Sequence, residues 1–207
     1  MTANLSLILA AYLLGAIPFG LLLAKIKGVD LQKVGSGNIG ATNVYRCVGK
    51  RWGIAAFILD AVKGFVPAFV FPMFVSNAPN WLGLACGVAA VAGHNWPVWL
   101  KFKGGKGVST SAGMLLGIAP AAVGIGFVVF AITVLLTRYV SLSSILAAIA
   151  VPAAFIAMDR TGNHLLAGAL VVMGLLTIFK HRANIGRLLV GTESKISGKK
   201  KVDLPTS

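Results

Sequence analysis

The chain has 207 residues, 57% of them hydrophobic and 12% charged, with 19 Lys+Arg against 5 Asp+Glu and a formal net charge of +14. A soluble domain carries about 25% charged residues, so this composition excludes an ordinary soluble protein and indicates one integral membrane domain. It also excludes a nucleic-acid-binding module, because almost no soluble mass exists to hold one; the excess of cations suits anionic lipid headgroups or anionic substrates.

A helix crosses the hydrocarbon with about 20 residues. The first apolar run, residues 5–24, has no basic stretch before it and is too long for a signal peptide. Lys25 and Lys27 follow it, so it reads as a retained span that starts outside and ends in the cytoplasm. Runs at 53–75 and 81–100 are the second and third candidates. Residues 108–137 are too many for one upright helix, and Gly117 and Pro120 interrupt them, so the pattern predicts a short helix over 108–119 and a fuller one over 120–137. Runs at 141–157 and 164–179 complete seven.

The basic residues decide between seven spans and six. Seven place Lys25, Lys27, Lys33, Arg46, Lys50, Arg51, Lys101, Lys103, Lys106, Arg138 and the basic tail inside, and leave Arg160 outside. Six would put the tail outside, against the positive-inside rule. The expectation is therefore an all-α polytopic membrane protein of seven transmembrane helices, N-terminus outside and C-terminus cytoplasmic. It forms a single domain over residues 1–207, with a frayed basic tail from about 197. The short helix stops partway or thins the bilayer. No internal repeat is visible, which counts against a transporter of inverted repeats. Cys47 and Cys86 are too few for a disulfide framework, and Cys86 reads as a small buried hydrophobe.

Two glycine-rich, basic loops lie between the spans. The first runs Gly35-Ser36-Gly37-Asn38-Ile39-Gly40-Ala41-Thr42-Asn43-Val44-Tyr45-Arg46, and the second Lys101-Phe102-Lys103-Gly104-Gly105-Lys106-Gly107-Val108-Ser109-Thr110. Glycine lets backbone N–H groups approach a ligand, and Arg and Lys add charge, so both suit phosphate. The first loop matches G-x-G-x-x-G, but a span precedes it and no soluble parallel sheet surrounds it, so a dinucleotide site is rejected. The second lacks the G-x-x-x-x-G-K-[ST] spacing of an ATP-binding loop. Val108-Ser109-Thr110 instead opens a helix whose free N–H groups face the loop, either for an anion or for capping by Ser109 or Thr110.

Asp60 and Lys63 share a helix face within the second span and read as an ion pair, structural or site-related. His94, beside Trp96, Pro97 and Trp99, is either a ligand contact or a hydrogen-bonded structural histidine, and His164 reads as interfacial. His181 and Asn184 point together if their segment is helical. Too few Asp, Glu, His and Cys residues exist for a metal site, and no Ser-His-Asp set or His-x-x-x-x-Asp acyltransferase pattern is present.

The first loop, the Phe102–Val108 stretch of the second, and His181, Asn184-Ile185, Arg187-Leu188, Gly191 and Glu193 closely resemble the three cytoplasmic motifs of the PlsY family. These are bacterial acyl-phosphate:glycerol-3-phosphate acyltransferases. The resemblance runs from the first span to about Lys195. It implies a multi-pass enzyme of the bacterial inner membrane with its active site facing the cytoplasm. It implies transfer of a fatty acyl chain from acyl phosphate to the 1-hydroxyl of sn-glycerol 3-phosphate, giving lysophosphatidic acid and phosphate, the first step of phospholipid synthesis. Candidate catalytic residues are Ser36, Arg46, Lys106 and His181. Candidate phosphate-binding residues are Gly37, Asn38, Gly40, Thr42, Asn43, Gly104, Gly105, Gly107, Ser109, Thr110, Asn184, Arg187 and Glu193. No cofactor, metal or nucleic acid is expected; the partners are the two substrates and the bilayer, and the protein is expected to be a monomer.

Phosphate leaves readily from a mixed anhydride, so neutralising charge is the main catalytic demand. Either His181 or an oxygen of the donor's own phosphate removes the hydroxyl proton. An anion or phosphate-ester transporter is the alternative. It shares the basic loops, but the short, nearly uncharged outside loops count against it.

Overall fold

The computed structural model describes residues 2–196, and helices are its only regular elements among them. The expected tail from residue 197 lies outside the described residues. Helices α1 (Thr2–Gly15) and α2 (Phe19–Ile26) form one 25-residue apolar segment broken at Pro18. Proline has no N–H to continue the ladder. Lys63 fills the break from the neighbouring helix, its Nζ donating to the Ile17 carbonyl at 2.7 Å. Helix α4 (Lys50–Phe65) continues through a π-helical turn at Val66–Val70 and a 3-10 turn at Phe71–Phe74, each with a proline in its first positions, to make a second 25-residue segment.

Helix α5 (Leu82–Asn95) departs from the third expected span. Residues before proline are driven out of the helical region, and Trp96, at φ −137° and ψ 64°, ends the helix ahead of Pro97. Fourteen residues rise about 21 Å, short of the hydrocarbon thickness. Helix α6 (Val108–Ile118) is the expected short element, and α7 (Pro120–Thr137) and α8 (Val140–Met158) match their runs. Helix α9 (His164–Lys180) meets α10 (Arg182–Leu189) at a 56° bend. By length and apolarity four segments are able to cross a membrane, or five with the bent pair taken as one. A further helix, α3 (Ala41–Cys47), occupies the second half of the first glycine-rich loop.

Small residues bring the helices together, as expected where lipid supplies no hydrophobic drive between them. A Cβ on Gly15 would overlap the Ala90 backbone, and one on Gly93 the Tyr12 carbonyl, so α1 and α5 pack backbone to backbone. Gly64 and Gly113 do the same for α4 and α6, meeting the carbonyls of Thr110 and Ala61. Helix α7 packs on α8, and α8 on α9. Apolar side chains such as Leu135 and Leu136 on α7 are exposed, and Cys86 is fully buried. Within this bundle Asp60 and Lys63 form an ion pair of 2.8 Å, each side chain 2% exposed.

Adding a methyl group where α4 and α6 touch forces backbone apart, which costs about 1–3 kcal/mol. Gly113→Ala is therefore expected to lower the thermal unfolding midpoint in detergent. Gly124→Ala, with no neighbouring atom within 4 Å, should leave it unchanged or raise it. Equal midpoints for the two variants would contradict this packing.

Candidate active site

The three polar motifs surround one cavity of about 640 Å³, a size suited to a small ligand. From the first loop, Ser36, Asn38, Gly40, Thr42, Asn43 and Arg46 line it. Gly35 and Gly37 adopt φ of +62° and +67°, turning the chain so that Asn43 folds beneath the loop. Asn43 is 2% exposed; its Nδ2 donates to the carbonyls of Leu31 (3.2 Å) and Val34 (3.1 Å), and its Oδ1 accepts the Ser36 N–H (3.0 Å). The Gly37 N–H reaches the Val34 carbonyl at 3.1 Å, and the Gly40 N–H reaches Asn38 Oδ1 at 2.8 Å. Three N–H groups of the expected cradle, those of Ser36, Gly37 and Gly40, are thus taken within the loop, and Gly37 does not line the cavity. Arg46 remains the anion-seeking group. Its Nη2 donates to the Ser194 carbonyl at 2.7 Å, while its Nε is buried without a partner.

The second loop divides in the same way. The Gly104 N–H reaches the Asn95 carbonyl (3.3 Å) and the Gly105 N–H the His94 carbonyl (3.1 Å). A Cβ would overlap the His94 carbonyl at Gly104 and the His94 ring at Gly105, so both glycines serve close packing and neither lines the cavity. Thr110 also misses it, being fully buried at the α4–α6 contact with its Oγ1 unpartnered. Lys106, Gly107, Val108 and Ser109 do line it. Helix α6 begins after Gly107 (φ +79°) with no side-chain cap and no acidic residue in its first turn. Its free N–H groups are therefore available to an anion, and Ser109 and Thr110 do not cap them. Helix α8 also starts uncapped at the cavity, through Val140 and Ser141.

The third motif supplies a buried carboxylate. Glu193 accepts hydrogen bonds of 2.7 Å from Ser141 Oγ, Asn184 Nδ2 and Arg187 Nε. The Asn184 Oδ1 in turn accepts from Lys106 Nζ, which ties the second motif to the third. Burial opposes the charge on Glu193, but the three donors hold its pKa below the ordinary carboxylate value. Glu193 is therefore an anchor for the cations rather than a free phosphate ligand. Burial, followed by the repulsion of Arg187 and Arg46 against partial relief from Glu193, brings Lys106 down to about 8. His181 sits at the α9–α10 bend, 2% exposed, with Nδ1 2.8 Å from the Thr177 carbonyl. A carbonyl accepts only, so Nδ1 carries the hydrogen and Nε2 is left as an acceptor. Burial and then Lys106 lower the imidazole to about 4.

Several lining residues have no place in the sequence reading of the site. Ser141 opens an apolar run, and Lys180 and Arg182 belong to the basic segment after the last one, yet all three line the cavity. The cluster Ser141, Ser143 and Ser144, all buried at the start of an apolar run, is the signal that could have found the first. Asp60 and His94 also reach the cavity wall. A second, apolar cavity of about 140 Å³ lies deeper between the helices and shares Phe57, Val108, Phe127, Phe130 and Ser144 with the polar one. Among the described residues no group of three His, Cys, Asp or Glu side chains is placed to hold a metal.

A family model described as "Glycerol-3-phosphate acyltransferase" matches residues 5–191. The glycerol-3-phosphate acyltransferase of Geotalea daltonii is 47% identical over 194 residues, 94% of this chain and 98% of its own length. That of Brucella suis is 48% identical over 189 residues, 91% and 90% of the two chains. A crystal structure of PlsY (YgiH), an integral membrane glycerol 3-phosphate acyltransferase in its glycerol 3-phosphate form, is 43% identical with a TM-score of 0.86, covering 94% of this chain and 96% of that one. The lysophosphatidic acid form gives 42% and 0.84. With its length matched almost throughout and its motifs gathered around one cationic cavity, the chain belongs to the glycerol-3-phosphate acyltransferase family.

Proposed function

We propose that this membrane protein transfers a fatty acyl group from acyl phosphate to the 1-hydroxyl of sn-glycerol 3-phosphate, releasing lysophosphatidic acid and phosphate. The observation that carries this reading is the junction of a cation-lined cavity with an apolar one. A phosphorylated polyol suits the first and a hydrocarbon tail the second. A transporter would need no such junction, and the relatives are named as acyltransferases.

Two phosphates brought together repel by about 4 kcal/mol per pair of unit charges at 4 Å and an effective dielectric constant of about 20. Arg46 and Lys106, with Lys180, Arg182 and the open N-terminus of α6, offset that repulsion. The guanidinium of Arg46 suits two oxygens at once, and Lys106 acts as a point charge. The acceptor hydroxyl oxygen attacks the donor's carbonyl carbon, the bond from that carbon to the phosphate oxygen breaks, and phosphate departs. Cations aimed at the leaving phosphate stabilise the transition state. The hydroxyl proton passes to an oxygen of the departing phosphate. His181, lowered to about 4, is a weak base; its Nε2 accepts the hydroxyl's hydrogen bond and aims the oxygen. Ser36, Asn38, Thr42, Ser109, Asn184 and Arg187 complete the phosphate contacts.

We further propose seven spans in the bacterial cytoplasmic membrane, with a single domain, one active site per monomer, and all three motifs on the cytoplasmic side. The cations of the cavity and of the loops then obey the positive-inside rule. Single cysteines introduced at Lys33, Lys103 and Arg182 should react with an impermeant reagent only after the membrane is opened; labelling of any one from the outside would defeat this topology.

The reaction is tested by supplying radiolabelled glycerol 3-phosphate and acyl phosphate to the purified protein in detergent. Lipid-soluble product is expected with acyl phosphate and little with acyl-CoA. Lys106→Ala should lose about 100- to 1000-fold in kcat while remaining folded. His181→Gln should raise KM for glycerol 3-phosphate about tenfold more than it lowers kcat, whereas a kcat loss beyond about 100-fold at unchanged KM would make the imidazole the base.

The pH profile follows from Lys106, which is charged below about 8 and neutral above it. The kcat/KM profile reports the free enzyme, so it should fall on the alkaline side from about pH 8. The corresponding limb of kcat should lie higher, because bound phosphate favours the charged amine. His181, neutral above about 4, should impose no acid limb near pH 6.5. A kcat/KM that stays flat to pH 10 would remove Lys106 from substrate binding.

A further inference from the structure

We propose that His94, oriented by Asp60, recognises the glycerol hydroxyl that is not acylated. The inference rests on the reaction proposed above and adds a specificity-determining contact to it. The acceptor molecule has two kinds of chemistry. Its phosphate needs cations and N–H donors, which the cavity supplies in excess. Its two hydroxyls are donors and need acceptors, which are scarce there.

The carboxylate and amide oxygens of the cavity are almost all engaged. Asn38 Oδ1 accepts from Gly40, Asn43 Oδ1 from Ser36, and Asn184 Oδ1 from Lys106. Glu193 accepts from Ser141, Asn184 and Arg187. His181 Nε2 serves the reacting hydroxyl. What remains on the cavity wall is the pair Asp60 and His94. They are 2% and 5% exposed; Asp60 Oδ1 meets Lys63 Nζ at 2.8 Å, while His94 Nδ1 has no hydrogen-bond partner. Buried polar groups in that condition call for an explanation, and a ligand is one.

The geometry suits this role. His94 Nδ1 stands 3.7 Å from Asp60 Oδ1, a pairing that can tighten to a hydrogen bond when a ligand fills the site. Donation from Nδ1 to Asp60 leaves Nε2 as the acceptor. Lys63 Nζ holds the same Asp60 oxygen at 2.8 Å. The His94 ring lies against Gly105, directly before Lys106, so a ligand contact there falls beside a phosphate-binding cation. Lys180 Nζ donates to the Asn95 carbonyl at 3.3 Å, which brings the end of α5 beside His181. Two acceptors thus line the same cavity, one for each hydroxyl.

The test compares glycerol 3-phosphate with 3-hydroxypropyl phosphate, which keeps the reacting hydroxyl and the phosphate but lacks the second hydroxyl. The wild-type protein should favour glycerol 3-phosphate at least about tenfold in kcat/KM. That ratio should collapse toward one in His94→Phe and fall in Asp60→Asn, while His94→Gln, which keeps an acceptor, should retain part of it. A wild-type ratio near one overturns the proposal without any variant, even if the substituted proteins fail to fold. A wild-type ratio preserved in folded His94→Phe or Asp60→Asn also overturns it. Absence of any product from glycerol 3-phosphate and acyl phosphate would instead defeat the reaction itself, so the two failures are distinguishable.

Discussion

The hydrogen bonds that converge on Glu193 make the cavity possible. Arg46, Lys106 and Arg187 repel one another where burial has removed much of the water, as the depressed Lys106 shows. One carboxylate, fixed at the start of α8 by Ser141, holds Asn184 and Arg187 directly and Lys106 through Asn184. The adjacent Ser194 carbonyl takes Arg46. A single negative charge keeps the cations together yet leaves the cavity positive enough to accept phosphates. It also joins segments far apart in sequence, because the chain must return from α10 past Gly191 to bring Glu193 beside α8.

A second constraint comes from the membrane. Helices that cannot rely on hydrophobic attraction approach through small residues, and α1, α4, α5 and α6 do so at Gly15, Gly64, Gly93 and Gly113. This close packing sets the height at which α5 stops and α6 starts. The second glycine-rich loop is moulded on the end of α5: the carbonyls of His94 and Asn95 take the N–H groups of Gly105 and Gly104, and Lys106 emerges into the cavity just beyond. The buried line from the Ile17 carbonyl through Lys63 and Asp60 toward His94 braces the same corner from the first and second apolar segments.

The motifs were legible as places but not as roles. Glycine beside Arg and Lys marked both loops as phosphate sites, and Arg46, Lys106, Gly107, Ser109, His181, Asn184 and Arg187 do meet around one cavity. Yet glycine answers to more than one demand. Gly104 and Gly105 are small because the His94 side of the corner leaves no room for a Cβ, and Asn43 turns inward to hold its own loop. A linear pattern does not say whether an N–H faces a ligand or a neighbouring carbonyl. Helix α3 escaped notice because seven residues carry too little periodicity to stand out, and α5 ended early because Pro97 outweighed the apolar run around it.

The sequence by itself determined that the chain is helical and membrane-embedded, where Pro120 interrupts it, and which family it joins. These follow from local properties: run length, proline, charge balance and the order of three motifs. Only the tertiary structure decided that Glu193 anchors cations, that Thr110 and Gly37 stand away from the cavity, and that Asp60, His94 and Ser141 reach it. Those outcomes depend on which helix faces pack together and which polar atoms remain unpaired afterward, and such long-range pairings leave no trace in the spacing of residues along the chain.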